Sequence, residues 1–432
     1  MRNENNWFHR CPNKLLITLV AVVLLLATLP GLAQVAKQGK VAAPEPARVT
    51  EAFNLAAEAC IYGYPLVIME ILRSVMTNVA APVGFHAPLG QFAHVRQYPD
   101  ASFRGAAIPN RDLLYSFAWL DLSKEPYILS LPEEHGRYYL IEMLDAWTNV
   151  FAAPGKRTTG TKAQKYAITG PGWHGALPRG LKQIKSPTNM VWLIGRTYCT
   201  GTPADYQKVS ALQDKYTLIP LSAYGKPYAP PKGAVDPKVD MRTSAWEQVN
   251  RLDAAAFFKI MANAMQANPP APPDGPMVAK LAKIGLVPGQ FDAAKLDPAL
   301  AQGLNGSFHA ALEKIQAYGK DAVTMVNGWS FTLKTGVYGT DYLQRASIAL
   351  TALGANRPQD IIEMTAQKDA AGGLDGSHRY VLHFPKSQTP PANGFWSLTI
   401  YNAERFLVAN PLNRYKLNSS SKFRHNRDGS LD

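Results

Sequence analysis

Two acids three positions apart, Glu142 and Asp145, stand inside the aromatic and β-branched text GRYYLIEMLDAWTNVFAAPGKRTTG. Carboxylates in such a setting can act as general acid or base, with an arginine stabilising developing negative charge. In a strand, alternate residues share a face. Tyr138, Leu140, Glu142 and Leu144 then lie together, with Tyr139, Ile141, Met143 and Asp145 opposite. Either acid sits among apolar neighbours, where burial raises a carboxylate's pKa unless a cation or hydrogen bonds compensate. Arg137, Arg157 and Arg196 are the candidate partners. A buried structural salt bridge satisfies the same pattern, so the site and the structural readings stand side by side.

Other polar residues cluster near this pair. Asn110 and Asp112 precede the strand-like text LLYSFAWLDL, where they either close a turn or put a carboxylate at a pocket mouth. Asn149 follows Asp145 on the same segment. Residues 155–160, GKRTTG, gather backbone N–H groups, hydroxyls and two cations, a composition that can hold an anion or simply form a solvated turn. Asn110, Asp112, Asn149, Arg157 and Arg196 are therefore the candidate ligand-binding residues, and Glu142 and Asp145 the candidate catalytic ones. Trp329, Tyr338, Tyr342, Trp396 and Tyr401 could line a groove, although aromatic residues in strands more often fill a core.

Several chemistries lack their sequence signatures. No G-x-S-x-G, H-E-x-x-H, P-loop or EF-hand pattern occurs. Residues 170–175 match G-x-G-x-x-G, but LPRG follows where a helix should open, so the run reads as a turn. The nine histidines show no metal-ligand spacing, with His378 and His383 five apart, and neither a metal nor a cofactor is expected.

The elements that must position these residues follow from punctuation and periodicity. Short strands broken by turns every eight to twelve residues fill 108–223 and favour a sandwich or barrel over βαβ units. Before them, 50–107 reads as two helices, 51–62 and 66–75, split at Gly63 and Pro65, followed by a covering loop. Residues 224–243 form a proline-rich linker. A helical middle, 244–320, opens with a capping box at Ser244 and Glu247, with helices expected at 245–267, 277–284 and from Asp297 to about 318. From 321 to 432 strand text returns in GWSFTLK, HRYVLHFP and FWSLTIYN, with a helix at 341–353. The fold class expected is mainly β with a helical middle.

With 432 residues, 47% hydrophobic and 18% charged, the chain can bury a large core. Its net charge of +13 is dispersed, without a run of five basic residues, and no nucleic-acid-binding pattern is visible. Arg10 and Lys14 precede an apolar run of about 15 residues, 15–29, shorter than the roughly 20 needed to span a bilayer. Small residues at Gly31 and Ala33 complete a secretory signal, 1–33, cut before Gln34 and followed by a flexible leader, 34–49. The expectation is a periplasmic or secreted protein with no stable membrane span after cleavage. Cys60 and Cys199 form either one disulfide or two buried thiols.

The texts PNRDLLYSFAWLDLS, GRYYLIEMLDAWTNVFAAPGKRTTGT, YAITGPGW and PTNMVWLIGR resemble the bacterial domain of unknown function 1254. GWSFTLKTGVYGTDYLQRA, DGSHRYVLHFP, FWSLTIYN and NPLNRY resemble its companion, domain of unknown function 1214. The resemblance implies an immunoglobulin-like β-sandwich, a small helical domain and a C-terminal jelly roll, behind an export signal. It implies no settled activity. Two departures matter: Arg111 and Leu113 stand where relatives tend to read PNNDTLYS, and relatives carry further strands past DGSLD, so an incomplete jelly roll is expected. On function, the leading expectation is an exported protein binding a small or amphiphilic ligand in a polar pocket of the sandwich, with a homo-oligomer admitted. The alternatives are a hydrolase of ester or polymeric substrates using Glu142, Asp145 and arginines, and a structural envelope protein without a site.

Overall fold

The computed structural model describes residues 45–104, 108–369 and 372–432. The expected signal and most of the expected leader lie outside them. The first element is a helix, α1 (Pro46–Thr77), which runs unbroken through Gly63 and Pro65. The two-helix expectation is thus corrected. Proline removes one hydrogen bond and crowds the preceding turn, but residues 62–69 are all buried, and that packing holds the helix together. Gly63 is a contact point instead of a breaker: a Cβ there would collide with the thioether of Met261. By length and composition α1 could cross a bilayer, yet 72% of its most apolar window is buried inside the protein.

Strands follow in order: β1 (Ala93–His94), β2 (Leu113–Asp121), β3 (Tyr127–Leu131), β4 (Tyr139–Asp145), β5 (Val150–Ala152), β6 (Gln164–Thr169), β7 (Lys182–Lys185), β8 (Met190–Tyr198) and β9 (Thr217–Pro220). They form a five-stranded sheet ordered β1-β2-β8-β4-β5 and a four-stranded sheet ordered β7-β6-β3-β9. A helix absent from the strand-rich expectation, α2 (Pro203–Gln213), sits between β8 and β9, with Thr202 accepting the Asp205 N–H as its cap.

Alternation along the central strands gives the five-stranded sheet two buried faces. Ala118, Leu120, Tyr139, Ile141, Met143, Val191 and Leu193 share one apolar core with Leu129, Leu131, Tyr166, Ile168 and Leu218 of the other sheet. The opposite face presents Trp119 and Trp192, stacked with centroids 5.1 Å apart, to the core built around α1.

The helical layer comprises α3 (Ala245–Asn250), α4 (Ala254–Ala267), α5 (Gly275–Ala282), α6 (Pro298–Leu304) and α7 (Ser307–Asp321). The single helix expected over 245–267 is two, because the Asp253 side chain accepts the Ala256 N–H and starts a new one. The helix expected from Asp297 to about 318 is likewise two, parted at Gly306, whose φ is +74°. The C-terminal region holds β10 (Thr324–Val326), β11 (Trp329–Phe331), α8 (Tyr342–Thr351), β12 (Thr365–Ala366), β13 (Ser397–Thr399) and β14 (Lys416–Asn418). These make one three-stranded and one two-stranded sheet. HRYVLHFP, expected as a strand, belongs to neither. With eight α-helices and several sheets among the described residues, the architecture is mixed α/β and not mainly β, and no sheet closes into a barrel. Cys60 and Cys199 are free buried thiols in separate cores.

Candidate functional site

β4 pairs with β8 so that Leu140 faces Arg196 and Glu142 faces Ile194. This register puts Glu142 and Arg196 on the same face, one diagonal step apart. Arg196 Nη1 donates to Glu142 Oε2 at 2.8 Å, and its Nη2 donates to the carbonyl of Gly354 at 2.9 Å. The guanidinium also lies 5.6 Å from the centre of the Tyr115 ring. The Glu142 and Arg196 side chains are 1% and 9% exposed, so water screens little of their attraction. Burial raises the Glu142 carboxyl above its usual range and Arg196 pulls it back only partly. Burial works against the charge of Arg196, but Glu142 and Tyr115 outweigh it and hold the guanidinium charged.

Asp145 closes the turn from β4 to β5. Its carboxylate accepts the N–H of Trp147 at 2.9 Å, the N–H of Asn149 at 2.9 Å and the Asn149 amide at 3.2 Å. Burial still pushes its pKa up to about 6, with the Asn149 donors opposing the rise. Asn149 Oδ1 in turn accepts the Tyr338 N–H at 3.2 Å. Glu142, Arg196, Asp145 and Asn149 thus converge on the segment from Tyr338 to Gly354.

The remaining candidates go elsewhere. Asn110 Oδ1 accepts the N–H groups of Asp112 and Leu113 at 2.8 and 3.0 Å, an Asx turn. Asp112, 1% exposed, is held by Lys416 Nζ at 2.7 Å and the Asn418 amide at 2.8 Å. Arg157 grips Asp360 through two bonds of 2.7 and 2.8 Å. Arg137, an expected partner of Glu142, instead pairs with Asp205 of α2 at 2.7 Å. In the 155–160 loop the N–H groups of Thr158, Thr159 and Gly160 all donate to the Gly155 carbonyl, so an anion would find those donors already engaged.

Each candidate therefore bonds locally, across the β4–β8 pair or to the chain beyond residue 330. Four contacts, Asn149–Tyr338, Arg196–Gly354, Asp112–Lys416/Asn418 and Arg157–Asp360, clamp the strands to that part, and none of the candidates lines either cavity described below. Glu142 and Asp145 are 1% and 5% exposed, and proton exchange with a substrate would require this junction to open.

Other polar clusters carried no sequence signal. Arg345, 2% exposed on α8, is caged by the rings of Tyr62, Trp147 and Tyr342 at 5.2 to 5.4 Å. Asp274 ties the two tyrosine hydroxyls together at 3.2 and 2.9 Å. His94 Nδ1 lies 2.8 Å from Ser116 Oγ, the spacing of a base beside a nucleophile, but Ser116 is fully buried. Burial lowers the His94 pKa to about 4 and keeps the ring neutral. A surface cavity of about 220 Å³ lies beside His94 and Arg96.

The larger cleft, about 410 Å³, lies in the helical layer between the starts of α4 and α7 and the end of α6. Its floor is the buried Ala254, Leu304, Phe308 and Leu312, and its rim carries exposed Asn250, Asp253, Asn305 and His309. The α3–α4 break and Gly306 create it. A sequence signal existed in Asp253 before AAAFF and in the pair Asn305-Gly306, both of which mark helix ends.

This arrangement defines a mixed α/β protein whose strand-built region is clamped to a C-terminal part and backed by helices. Residues 89–220 match the family described as protein of unknown function DUF1254, and residues 360–432 match DUF1214, the order the sequence resemblance implies. A similar solved structure is that of the VPA0106 protein from Vibrio parahaemolyticus. It is 24% identical, over 88% of this chain and 86% of that chain, with a TM-score of 0.63, and it supports the fold alone. A putative uncharacterized protein from Burkholderia cenocepacia is 13% identical over 89% and 82% of the two chains, with a TM-score of 0.35. No curated protein sequence matches.

Proposed function

We propose that the protein binds a small amphiphilic molecule, and that the cleft in the helical layer receives it. The observation that carries this reading is the pairing of an apolar floor with a polar rim in a cleft of about 410 Å³, within the roughly 300–1,000 Å³ typical of small-molecule sites. Phe308, Leu304 and Leu312 offer an aliphatic or aromatic body its contacts. Asn305 offers a head group both donors and acceptors; Asn250 Oδ1 already accepts the Tyr64 hydroxyl and His309 Nε2 lies 3.2 Å from Glu313, which leaves the Asn250 amide N–H groups and the other His309 nitrogen to a ligand. The acids and arginines of the strands keep a structural role here, since each already has its partners.

The same reading takes the chain as exported. It treats the two packed sheets as an immunoglobulin-like sandwich and the C-terminal part as a jelly-roll relative. The shared apolar core between the sheets supports the former.

Ala301 lines the cleft from an exposed position, so Ala301→Trp fills the space without disturbing the core. Isothermal titration with a panel of medium-chain alcohols, monoglycerides and aromatic amides should give saturable binding to the wild type and none to the variant, with an unchanged melting temperature. Equal binding by both proteins would place the ligand elsewhere. Absence of binding across the panel would remove the proposal.

A further inference from the structure

His94, on β1, and Arg96, two residues on, are tied to the interior by bonds that decide which ring proton faces outward. The chain of bonds starts at Gln213, fully buried at the end of α2. Its Nε2 lies 3.2 Å from the Val95 carbonyl and 3.1 Å from the Tyr115 carbonyl, so that end of the amide must donate. Its Oε1 accepts Arg96 Nη1 at 3.2 Å. The same Nε2 stands 3.2 Å from Ser116 Oγ and cannot take the serine proton. Among the described residues, His94 Nδ1 at 2.8 Å is the acceptor left to that buried hydroxyl. An unpaired hydroxyl proton is costly there, so Nδ1 accepts it and the proton of the neutral ring sits on Nε2. Nε2 has no partner among the described residues and is not enclosed. Arg96 is equally well placed. Its Nη1 also donates to the Ser210 carbonyl at 2.9 Å and its Nη2 to Asp214 at 2.5 Å, which leaves Nε–H and one Nη2 proton. Both residues line the cavity of about 220 Å³, whose walls include Pro82, Val83 and Phe92. Phe92 stacks on the His94 ring with centroids 5.3 Å apart.

We propose that this cavity binds the carboxylate of a short organic acid, with one oxygen accepting the His94 Nε2–H, the negative charge facing Arg96 and the hydrocarbon body against Pro82, Val83 and Phe92. Two features choose the class. The cavity offers donors, while Asp214 already offsets the charge of Arg96. A monoanion is accommodated there, whereas dianionic phosphate would be repelled by Asp214. The apolar walls give a hydrocarbon body its contacts and an inorganic anion none. No lining residue is shared with the helical cleft, and neither proposal depends on the other.

Propionate is the probe, titrated at pH 7 and fixed ionic strength into the full chain with isotope-labelled histidines. Long-range proton–nitrogen spectra read the tautomer. The resonances lost in His94→Gln should show a protonated Nε2 and a bare Nδ1, and propionate should shift that Nε2 saturably. Propionamide, similar in shape but uncharged, should bind about tenfold more weakly or worse. Arg96→Met should weaken propionate by a similar factor. Val83 is 61% exposed, so Val83→Trp fills the cavity without disturbing the core and should abolish the shift. A ring protonated on Nδ1 overturns the proposal, since Nε2 would then accept. Absence of a saturable shift in the wild type does so too, as does equal binding of propionamide or a shift that survives Val83→Trp. Tighter binding of inorganic phosphate than of propionate would overturn the carboxylate class. Unchanged far-ultraviolet circular dichroism shows that the variants remain folded.

Discussion

β4 and the segment 378–384 are written in the same kind of text, YLIEMLD against HRYVLHF, and they meet opposite fates. All seven residues of β4 are buried, and the strand is laddered to β8 on one side and β5 on the other. The C-terminal segment keeps its alternation but has no ladder, and Val381 stands in solvent. Strand propensity describes a fit to a pleated, half-buried surface, and it is realised only where neighbouring strands supply that surface. The polar residues follow the same rule. On β4, Glu142 is tolerated because β8 brings Arg196 beside it, while Arg379 in the C-terminal segment is exposed.

The contrast breaks most sharply at Arg196. Arg196→Met leaves Glu142 buried without its cation, and the expected loss is about 3–5 kcal/mol of unfolding free energy in urea titrations. Adding Glu142→Leu should recover most of it, since an apolar pair of similar volume needs no compensation. A single variant within about 1 kcal/mol of the wild type would mean that the pair is not shielded as the buried sheet face implies.

Much of the sheet region was legible in advance. Alternation alone assigned Glu142 and Asp145 to opposite faces, and the structure keeps that division until the β4–β5 turn draws Asp145 back onto its own amides. The choice among Arg137, Arg157 and Arg196 was not legible, because it depends on a register set between strands about fifty residues apart. Arg137 went to Asp205, a residue on a helix that the strand-rich reading passed over. Local grammar misled at Gly63 and Pro65, where burial against α4 overrides two helix breakers. It was sufficient but unused at Asp253 and Gly306, and those two breaks shape the cleft. Arg345 left no trace at all: its cage is assembled from α1, the β4–β5 turn and α8.

Acidity offers a second, smaller handle. Asp145 has a folded pKa of about 6 against an ordinary 3.8. The folded state then holds its proton more tightly than the unfolded chain. Stability is largest below about pH 4 and falls by roughly 2–3 kcal/mol as pH rises to 6. His94 acts in the opposite sense. Its pKa is lowered from 6.5 to about 4, so the unfolded chain binds the proton more readily and stability rises over nearly the same window. The two slopes offset each other in the wild type. Relative to it, Asp145→Asn should make stability climb more steeply from pH 4 to 6.5, and His94→Gln should make it fall. Parallel pH–stability curves for all three proteins would show that neither group is shielded as the buried sheet region requires.

The smallest effect belongs at the margin between the two regions. Arg157 and Asp360 make the same ionic contact as Arg196 and Glu142, with better geometry, two bonds in place of one. The Arg157 side chain is 44% exposed, however, against 9% for Arg196. The Asp360 side chain is itself only 3% exposed, and water reaches it only on the side that Arg157 covered, so Arg157→Ala should cost about 1–2 kcal/mol, less than Arg196→Met. The cost should shrink further in 1 M salt, where the Debye length is about 3 Å, while the Arg196→Met cost should hold. If the two variants responded alike to salt, burial would not be what separates the clamps, and the distinction between the laddered sheet and its C-terminal neighbour would rest on hydrogen-bond geometry instead.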